Sequence, residues 1–90
     1  MVNLSGTHLR DSCAELIDLL YRNLYLDGDK AVCIYLGREE YCFLERCAFH
    51  NYGPVRQSSE TLEVFGVQSL LVLADSHISI SYKSRRLDLR

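Results

Sequence analysis

The sequence predicts a small α+β domain in which one N-terminal helix packs on an antiparallel sheet of four or five strands. Apolar residues near the N-terminus recur with the helical period of 3.6 residues, whereas those from residue 31 onward mostly alternate with period two. A run of strands after a single helix is typical of the α+β class. Closure of the strands into a small β-barrel beside the helix is the alternative, because closure leaves no exposed sheet edge.

Composition indicates one folded domain over residues 1–90. Hydrophobic residues make up 48% of the 90 residues and charged residues 24%, which is ordinary for a globular protein and excludes a disordered chain. The net charge of −2 argues against a strongly basic nucleic-acid binder. Charge is uneven, because residues 1–82 carry six basic and eleven acidic side chains, whereas residues 83–90 are basic. We expect these last residues to form a flexible basic tail.

The N-terminal helix is predicted over residues 8–26, and Gly28 is predicted to end it in a left-handed conformation. Its apolar stripe consists of Leu9, Cys13, Leu16, Ile17, Leu20 and Leu24. Tyr21 and Tyr25 lie beside this stripe and are neighbours on the helix surface, being four residues apart. Tyrosine supplies a large contact area with a polar tip, so we expect this second face to meet a partner.

The period-two segments 31–36 and 41–49 predict a β-hairpin whose loop covers residues 37–40. The hairpin tip carries three charged candidates for partner binding, namely Arg38, Glu39 and Glu40. A long loop is predicted over residues 50–59, and it contains three further candidates, namely His50, Asn51 and Tyr52.

The C-terminal half predicts two or three further strands. Residues 61–67 read as a strand, with a short helix as the alternative. Residues 70–74 are uniformly apolar and predict a buried strand. Residues 77–83 alternate between apolar and polar side chains, which predicts a half-buried strand.

The cysteines and the N-terminus predict a cytoplasmic protein with reduced thiols. The first ten residues lack the apolar stretch of a signal peptide, and the longest apolar run is far too short to span a bilayer. Cytoplasmic thiols stay reduced, so buried structural cysteine is the expected role. No cofactor is predicted. The alternative is a zinc site, in which three thiolates and an imidazole come from Cys33, Cys42, Cys47 and His50.

The best functional prediction is a protein-interaction module that acts as an inhibitor or adaptor by binding another protein. The chain offers no nucleophile with a local catalytic signature and no glycine-rich phosphate cradle, so an enzyme is not predicted. Its size is typical of viral or mobile-element accessory proteins, and the excess apolar helix surface predicts a homodimer. A nucleic-acid-binding domain is an alternative, in which the cations are Lys83, Arg85, Arg86 and Arg90.

Overall fold

The computed structural model describes the backbone of residues 6–90 and the side chains of residues 12–90. It confirms the α+β class, because two helices accompany a six-stranded sheet and a separate two-stranded hairpin. No helix in this part of the chain is long and apolar enough to cross a membrane. The elements are α1 (Gly6–Arg22), β1 (Tyr25–Leu26), β2 (Asp29–Lys30), β3 (Cys33–Leu36), α2 (Arg38–Phe49), β4 (Val55–Gln57), β5 (Leu62–Val64), β6 (Val67–Leu71), β7 (Ile78–Ser81) and β8 (Arg86–Asp88).

The large sheet is mixed, with the strand order β4-β5-β6-β3-β7-β8. β3 runs parallel to β6 and antiparallel to β7, and the other neighbouring pairs are antiparallel. The prediction of a purely antiparallel sheet is therefore wrong at one pairing, because the chain between β3 and β6 crosses over through α2. The closed barrel is not formed either, since β4 and β8 are open edges among the described residues.

The helices share the core with one face of the sheet. Ile34 and Leu36 of β3, with Ile80 of β7, are completely buried on this face. The alternate residue Tyr35 points to the opposite face and is half-buried. Other buried members of the same cluster are Leu16, Leu20, Leu24, Leu44, Leu62 and Val64. One continuous core therefore joins α1, α2 and the central strands.

The N-terminal helix is confirmed, but it ends at Arg22 rather than at residue 26. The predicted stripe is buried at Cys13, Leu16, Leu20 and Leu24, while Leu9 lies outside the residues whose side chains the structure describes. Gly28 does not end the helix. It lies at the tip of the β1–β2 hairpin, where Asp27 (φ 52°) and Gly28 (φ 87°) form the two-residue turn that such hairpins favour.

The second predicted strand, residues 41–49, is instead part of helix α2. The residues that α2 buries are Glu40, Leu44 and Cys47, whose spacing of four and three is helical. Because the first of them is charged, it hid the helical period in the sequence. The first turn is held by the loop before β7, since the Arg38 and Glu39 amides donate to the carbonyls of Ala74 and Asp75.

The remaining strands partly match the sequence pattern. The strand predicted over residues 61–67 contains β5 and the turn before β6, and residues 77–83 contain β7 as predicted. The prediction of a buried strand over residues 70–74 is wrong. β6 ends at Leu71 and buries Val67 and Ser69, whereas Leu71 and Leu73 are exposed.

Residues 83–90, which were predicted to form a flexible basic tail, include strand β8. Leu87 pairs with Ile80 of β7 in antiparallel register. Beyond the strand, the Arg90 guanidinium lies 2.9 Å from the carboxylate of the buried Glu40. Main-chain pairing and this ion pair therefore attach the tail to the domain.

Candidate functional site

A groove of about 670 Å³ lies between α1, the loop that follows α2, and the β5–β6 turn. Tyr21 forms its helix side, His50, Asn51 and Tyr52 form its loop side, and Phe65 comes from the turn. We refer to these five residues as the aromatic groove. Three segments that are distant in sequence therefore meet at one surface.

The rings of the groove contact one another in pairs. The Tyr21 and Phe65 centroids are 5.3 Å apart with a tilt of 47°. His50 stacks on Tyr52 with centroids 5.6 Å apart, and Phe49 meets the His50 ring edge-on at 5.2 Å. Phe49 is 82% exposed and Tyr21 is 60% exposed. Exposed aromatic surface thus lies in the groove at Tyr21 and beside the groove at Phe49, which does not line it.

The loop side is set by the way α2 ends. Asn51 takes a left-handed conformation (φ 57°), as residues just beyond a helix end often do. The Asn51 and Tyr52 amides donate to the carbonyls of Ala48 and Cys47. Gly53 then passes so close to α1 that a Cβ there would lie 3.0 Å from the Ile17 Cδ1 atom. The helix end and this close approach fix the loop against α1.

Phe65 has an unusual backbone for a bulky residue. Phe65 (φ 54°) and Gly66 (φ 77°) form the two-residue turn between Val64 and Val67. Asn, Asp and Gly are the residues that such turns favour, because both central positions need positive φ. A bulky residue with positive φ is a genuine outlier. Such backbone strain costs about 1–3 kcal/mol and persists where surrounding contacts hold the residue in place. Here the surrounding contacts include the Tyr21 ring and the hydrogen bond that the Phe65 amide donates to the Pro54 carbonyl at 3.1 Å.

The structure brings together four of the eight predicted partner-binding residues, namely Tyr21, His50, Asn51 and Tyr52. Tyr25 is 61% exposed and is not among the residues that line the groove. Phe65 was missed in the sequence analysis. A signal was present, because Phe65-Gly66 separates two alternating segments in the manner of a two-residue hairpin loop.

Arg38, Glu39 and Glu40 do not lie on a hairpin tip, because that hairpin is replaced by α2. The Arg38 side chain forms an exposed ion pair with Asp75. Glu40 is 3% exposed and accepts hydrogen bonds from the Ser76 hydroxyl and, at 3.0 Å, from the His77 amide. Its role is structural, because it holds the loop before β7 against the start of α2.

The electrostatic environment of Glu40 favours the charged form. Burial by itself raises the pKa of a carboxylic acid, but the donors around Glu40 outweigh this effect. These donors are the Ser76 hydroxyl, the His77 amide and the Arg90 guanidinium. The pKa of Glu40 therefore lies below its ordinary value.

A second cavity of about 680 Å³ lies between α1, α2 and the C-terminal residue. Three guanidinium groups line it, but each already has a partner. Arg22 pairs with Asp18 at 3.0 Å, and Arg90 pairs with Glu40. The Arg46 guanidinium lies over the Phe43 ring, 5.6 Å from its centroid. Four carboxylates line the same cavity and outnumber the guanidinium groups, so its charge does not favour an anion; they belong to Glu15, Asp18, Glu39 and Glu40.

The zinc alternative is not supported, because a disulfide joins Cys47 to Cys13. The expectation of four reduced cysteines is corrected by the same bond. Cys33 is a half-buried thiol and Cys42 an exposed one. Among the residues described, no group of three or more His, Cys, Asp or Glu side chains is arranged to hold a metal ion.

The His77 and Ser79 side chains form a contact that resembles a nucleophile and its base. The His77 Nε2 atom lies 2.8 Å from the Ser79 hydroxyl, and Arg86 approaches the same nitrogen at 3.4 Å. Ser79 is completely buried, so a substrate cannot reach its oxygen. The His77 and Ser79 side chains therefore satisfy each other's hydrogen-bonding groups within the fold.

The basic tail offers little free charge to nucleic acid. Arg85 pairs with Asp27 at 2.7 Å, and Arg86 pairs with Asp88 at 3.5 Å. Arg90 pairs with a buried carboxylate, as described above. Carboxylates thus neutralise three of the four predicted cations, the fourth being Lys83.

Comparison with protein-family models, with curated proteins and with solved structures finds no match. The aromatic groove is therefore the observation on which a functional proposal can be built.

Proposed function

We propose that the chain is a protein-interaction module whose aromatic groove binds a segment of another protein. The supporting observation is the convergence of rings from α1, the loop after α2 and the β5–β6 turn on one surface. Aromatic residues are enriched where proteins bind one another, and they dominate the binding energy at the centre of such surfaces. A groove of this kind can seat an apolar side chain of the partner.

The strained position of Phe65 supports the same proposal. Asparagine, aspartate or glycine would suit the first position of this turn better than phenylalanine, as Asp27 does in the Asp27-Gly28 turn of the same chain. Strained backbone clusters at binding and catalytic sites, where other contacts hold it in place. A bulky ring at residue 65 therefore suits the groove rather than the turn.

The module acts, in this proposal, as an adaptor or inhibitor by covering a surface of its partner, without a reaction of its own. Self-association into a homodimer remains a prediction, because exposed Leu70, Leu71 and Leu73 add to the apolar surface. The native mass of the untagged protein tests it. A mass of one chain at micromolar concentration would contradict the dimer.

The cytoplasmic location also remains a proposal, and the disulfide gives it a test. Cytoplasmic thiols are kept reduced, whereas disulfides persist in oxidising compartments. Cells are lysed in an alkylating reagent, and the labelled cysteines are counted by mass spectrometry. Labelling of Cys13 and Cys47 in part of the protein population is expected in the cytoplasm, whereas labelling of Cys33 and Cys42 alone would contradict a reducing location.

A photo-crosslinking experiment tests protein binding at the groove. The crosslinker p-benzoylphenylalanine is placed at position 21 or, as the matched control, at position 25. The two tyrosines have the same exposure, 60% and 61%, but Tyr21 alone lines the groove. We expect a defined protein adduct, formed in the native cell, from position 21 and not from position 25.

The Phe65→Asn variant supplies the second control, because it removes one ring and keeps a residue that suits the turn. We expect it to abolish the adduct from position 21. Equal adducts from both positions, or an adduct that Phe65→Asn leaves unchanged, would contradict the proposal. An adduct of two copies of the chain would also contradict it and would assign the groove to self-association.

A further inference from the structure

The disulfide joins the two sides of the aromatic groove. Cys13 belongs to α1 and itself lines the groove. Cys47 lies in the last turn of α2, three residues before His50, where the loop side of the groove begins. The two Cα atoms are 6.2 Å apart, and the bond closes a separation of 34 residues. A covalent bond therefore adds to the non-covalent contacts that hold the two sides of the groove together.

The C-terminal half of α1 is held by other contacts. Leu20 and Leu24 are buried in the core, and the Tyr82 hydroxyl donates to the Asn23 carbonyl just beyond the helix. Toward the N-terminus, Leu16 is still buried, and Cys13 is the next residue of the stripe. Loss of the bond therefore loosens the turns of α1 around Cys13, where Cys13 and Ala14 line the groove.

A dithiol reductant can convert the Cys13–Cys47 disulfide into two thiols. A thiolate of the reductant attacks one sulfur of the bond, forms a mixed disulfide and releases the other cysteine as a thiolate, which takes up a proton. The second thiol of the reductant then displaces the remaining cysteine and closes its own disulfide. Two electrons and two protons reach the protein, which ends with two thiols. Cys13 is 1% exposed and Cys47 is completely buried, so the attack requires a transient opening of α1 on the groove side, which Cys13 borders.

We propose that the Cys13–Cys47 bond is a redox switch for the aromatic groove. The oxidised form holds α1 in place to bind the partner, and the reduced form releases it and weakens binding. This proposal rests on the proposed function of the groove. In the cytoplasmic location proposed above, the disulfides that do form are usually transient, catalytic or redox-sensing. A bond between the two sides of a binding surface fits that use.

The first test uses the free protein and amide hydrogen exchange. Cys33→Ser and Cys42→Ser are introduced so that Cys13 and Cys47 are the remaining cysteines. The oxidised form is compared with the same protein in dithiothreitol. On reduction, we expect exchange in residues 12–17 to accelerate at least tenfold more than exchange in β3 and β7, which follows the loss of global stability. Unchanged exchange in α1 would overturn the proposal, as would equal acceleration throughout, which indicates a purely structural bond.

The second test repeats the crosslinking from position 21 in both redox states. We expect the adduct yield to fall at least tenfold on reduction and to stay low in the Cys13→Ala/Cys47→Ala variant, which mimics the reduced form without reductant. Equal yields in the two states would overturn the switch. If no adduct forms in either state, the proposed function fails, while the exchange experiment still decides whether the bond controls α1.

Discussion

Tyr21 and Phe65 show how much a single sequence reveals about individual residues. Tyr21 could be predicted as an exposed contact, because it lies beside an apolar stripe of known period. Its contact with Phe65 could not, because the two residues are 44 positions apart and meet only through the tertiary fold. The Phe65-Gly66 pair is a local signal for a turn, but no local signal indicates that the Phe65 ring contacts Tyr21.

Phe65→Asn separates the stability of the turn from the function of the groove. Asparagine adopts positive φ readily, so the relief of strain offsets the lost ring contact with Tyr21. We expect the free energy of unfolding, measured in urea, to change by less than about 1 kcal/mol. Asp27→Phe is the reverse exchange in the other two-residue turn, and we expect it to destabilise the protein by about 1–3 kcal/mol. Equal losses in both variants would contradict the account of the strain.

Gly37→Ala tests a close backbone contact at the start of α2. A Cβ at this position would lie 2.6 Å from the His77 nitrogen and 2.8 Å from the Ser76 carbonyl carbon. Both are backbone atoms, and the hydrogen bond from the His77 amide to the Glu40 carboxylate holds this part of the chain in place. We expect the free energy of unfolding to fall by about 1–3 kcal/mol, as is usual for overpacked sites. An unchanged free energy of unfolding in Gly37→Ala would contradict this prediction, because it would show that the loop before β7 can move aside.

At the scale of elements, the sequence predicted α1, β5 and β7 but not α2. Tyr41 and Phe43 lie two residues apart, on one face of an extended segment, and suggested a strand. In the helix they lie on its half-buried flanks, and the buried line runs through Glu40. The Glu40 carboxylate is stable at a core position because several hydrogen-bond donors surround it. These donors come from residues 76–90, so the sequence around Glu40 could not predict them.

The same carboxylate predicts how the stability of the fold depends on pH. The folded-state pKa of Glu40 lies below its ordinary value of 4.5, so the folded state favours the charged form. The stabilisation is present above this ordinary value and is lost as the pH falls through the lower folded-state pKa. We expect Glu40→Gln to lower the free energy of unfolding by about 1–3 kcal/mol at pH 7.

Urea unfolding between pH 3 and pH 7 checks this prediction. The difference between wild type and Glu40→Gln should shrink as the pH falls below 4.5, because the wild-type carboxylate becomes protonated. Glu39→Gln is the matched control, since Glu39 is the exposed neighbour on the same turn. A difference that stays constant over this pH range would contradict the assigned role of Glu40.

For the whole molecule, the α+β class followed from sequence patterns, whereas the topology did not. Once α2 was read as a strand, β3 had to pair with its sequence neighbour, and an antiparallel hairpin was the natural result. The actual partners of β3 are β6 and β7, which lie more than 30 residues further along the chain. Period-two patterns assign residues to the faces of a sheet, but they do not choose between partner strands.

The disulfide links the stability of the whole molecule to its redox state. By the chain-entropy model, a bond that closes 34 residues stabilises the folded state by about 4 kcal/mol. Domains are typically stable by about 5–15 kcal/mol, so the reduced protein should remain folded. We expect the free energy of unfolding in guanidinium to fall by about 4 kcal/mol on reduction of the Cys33→Ser/Cys42→Ser variant.

The reduced and oxidised forms together decide between a structural and a regulatory bond. If the reduced form unfolds outright, the bond is required for the fold and cannot act as a switch on a folded protein. If both forms unfold at the same denaturant concentration, α1 is held by its core contacts alone and the groove does not depend on the bond. A folded, measurably weaker reduced form is the outcome that a switch requires, since a switch needs two stable states with different grooves.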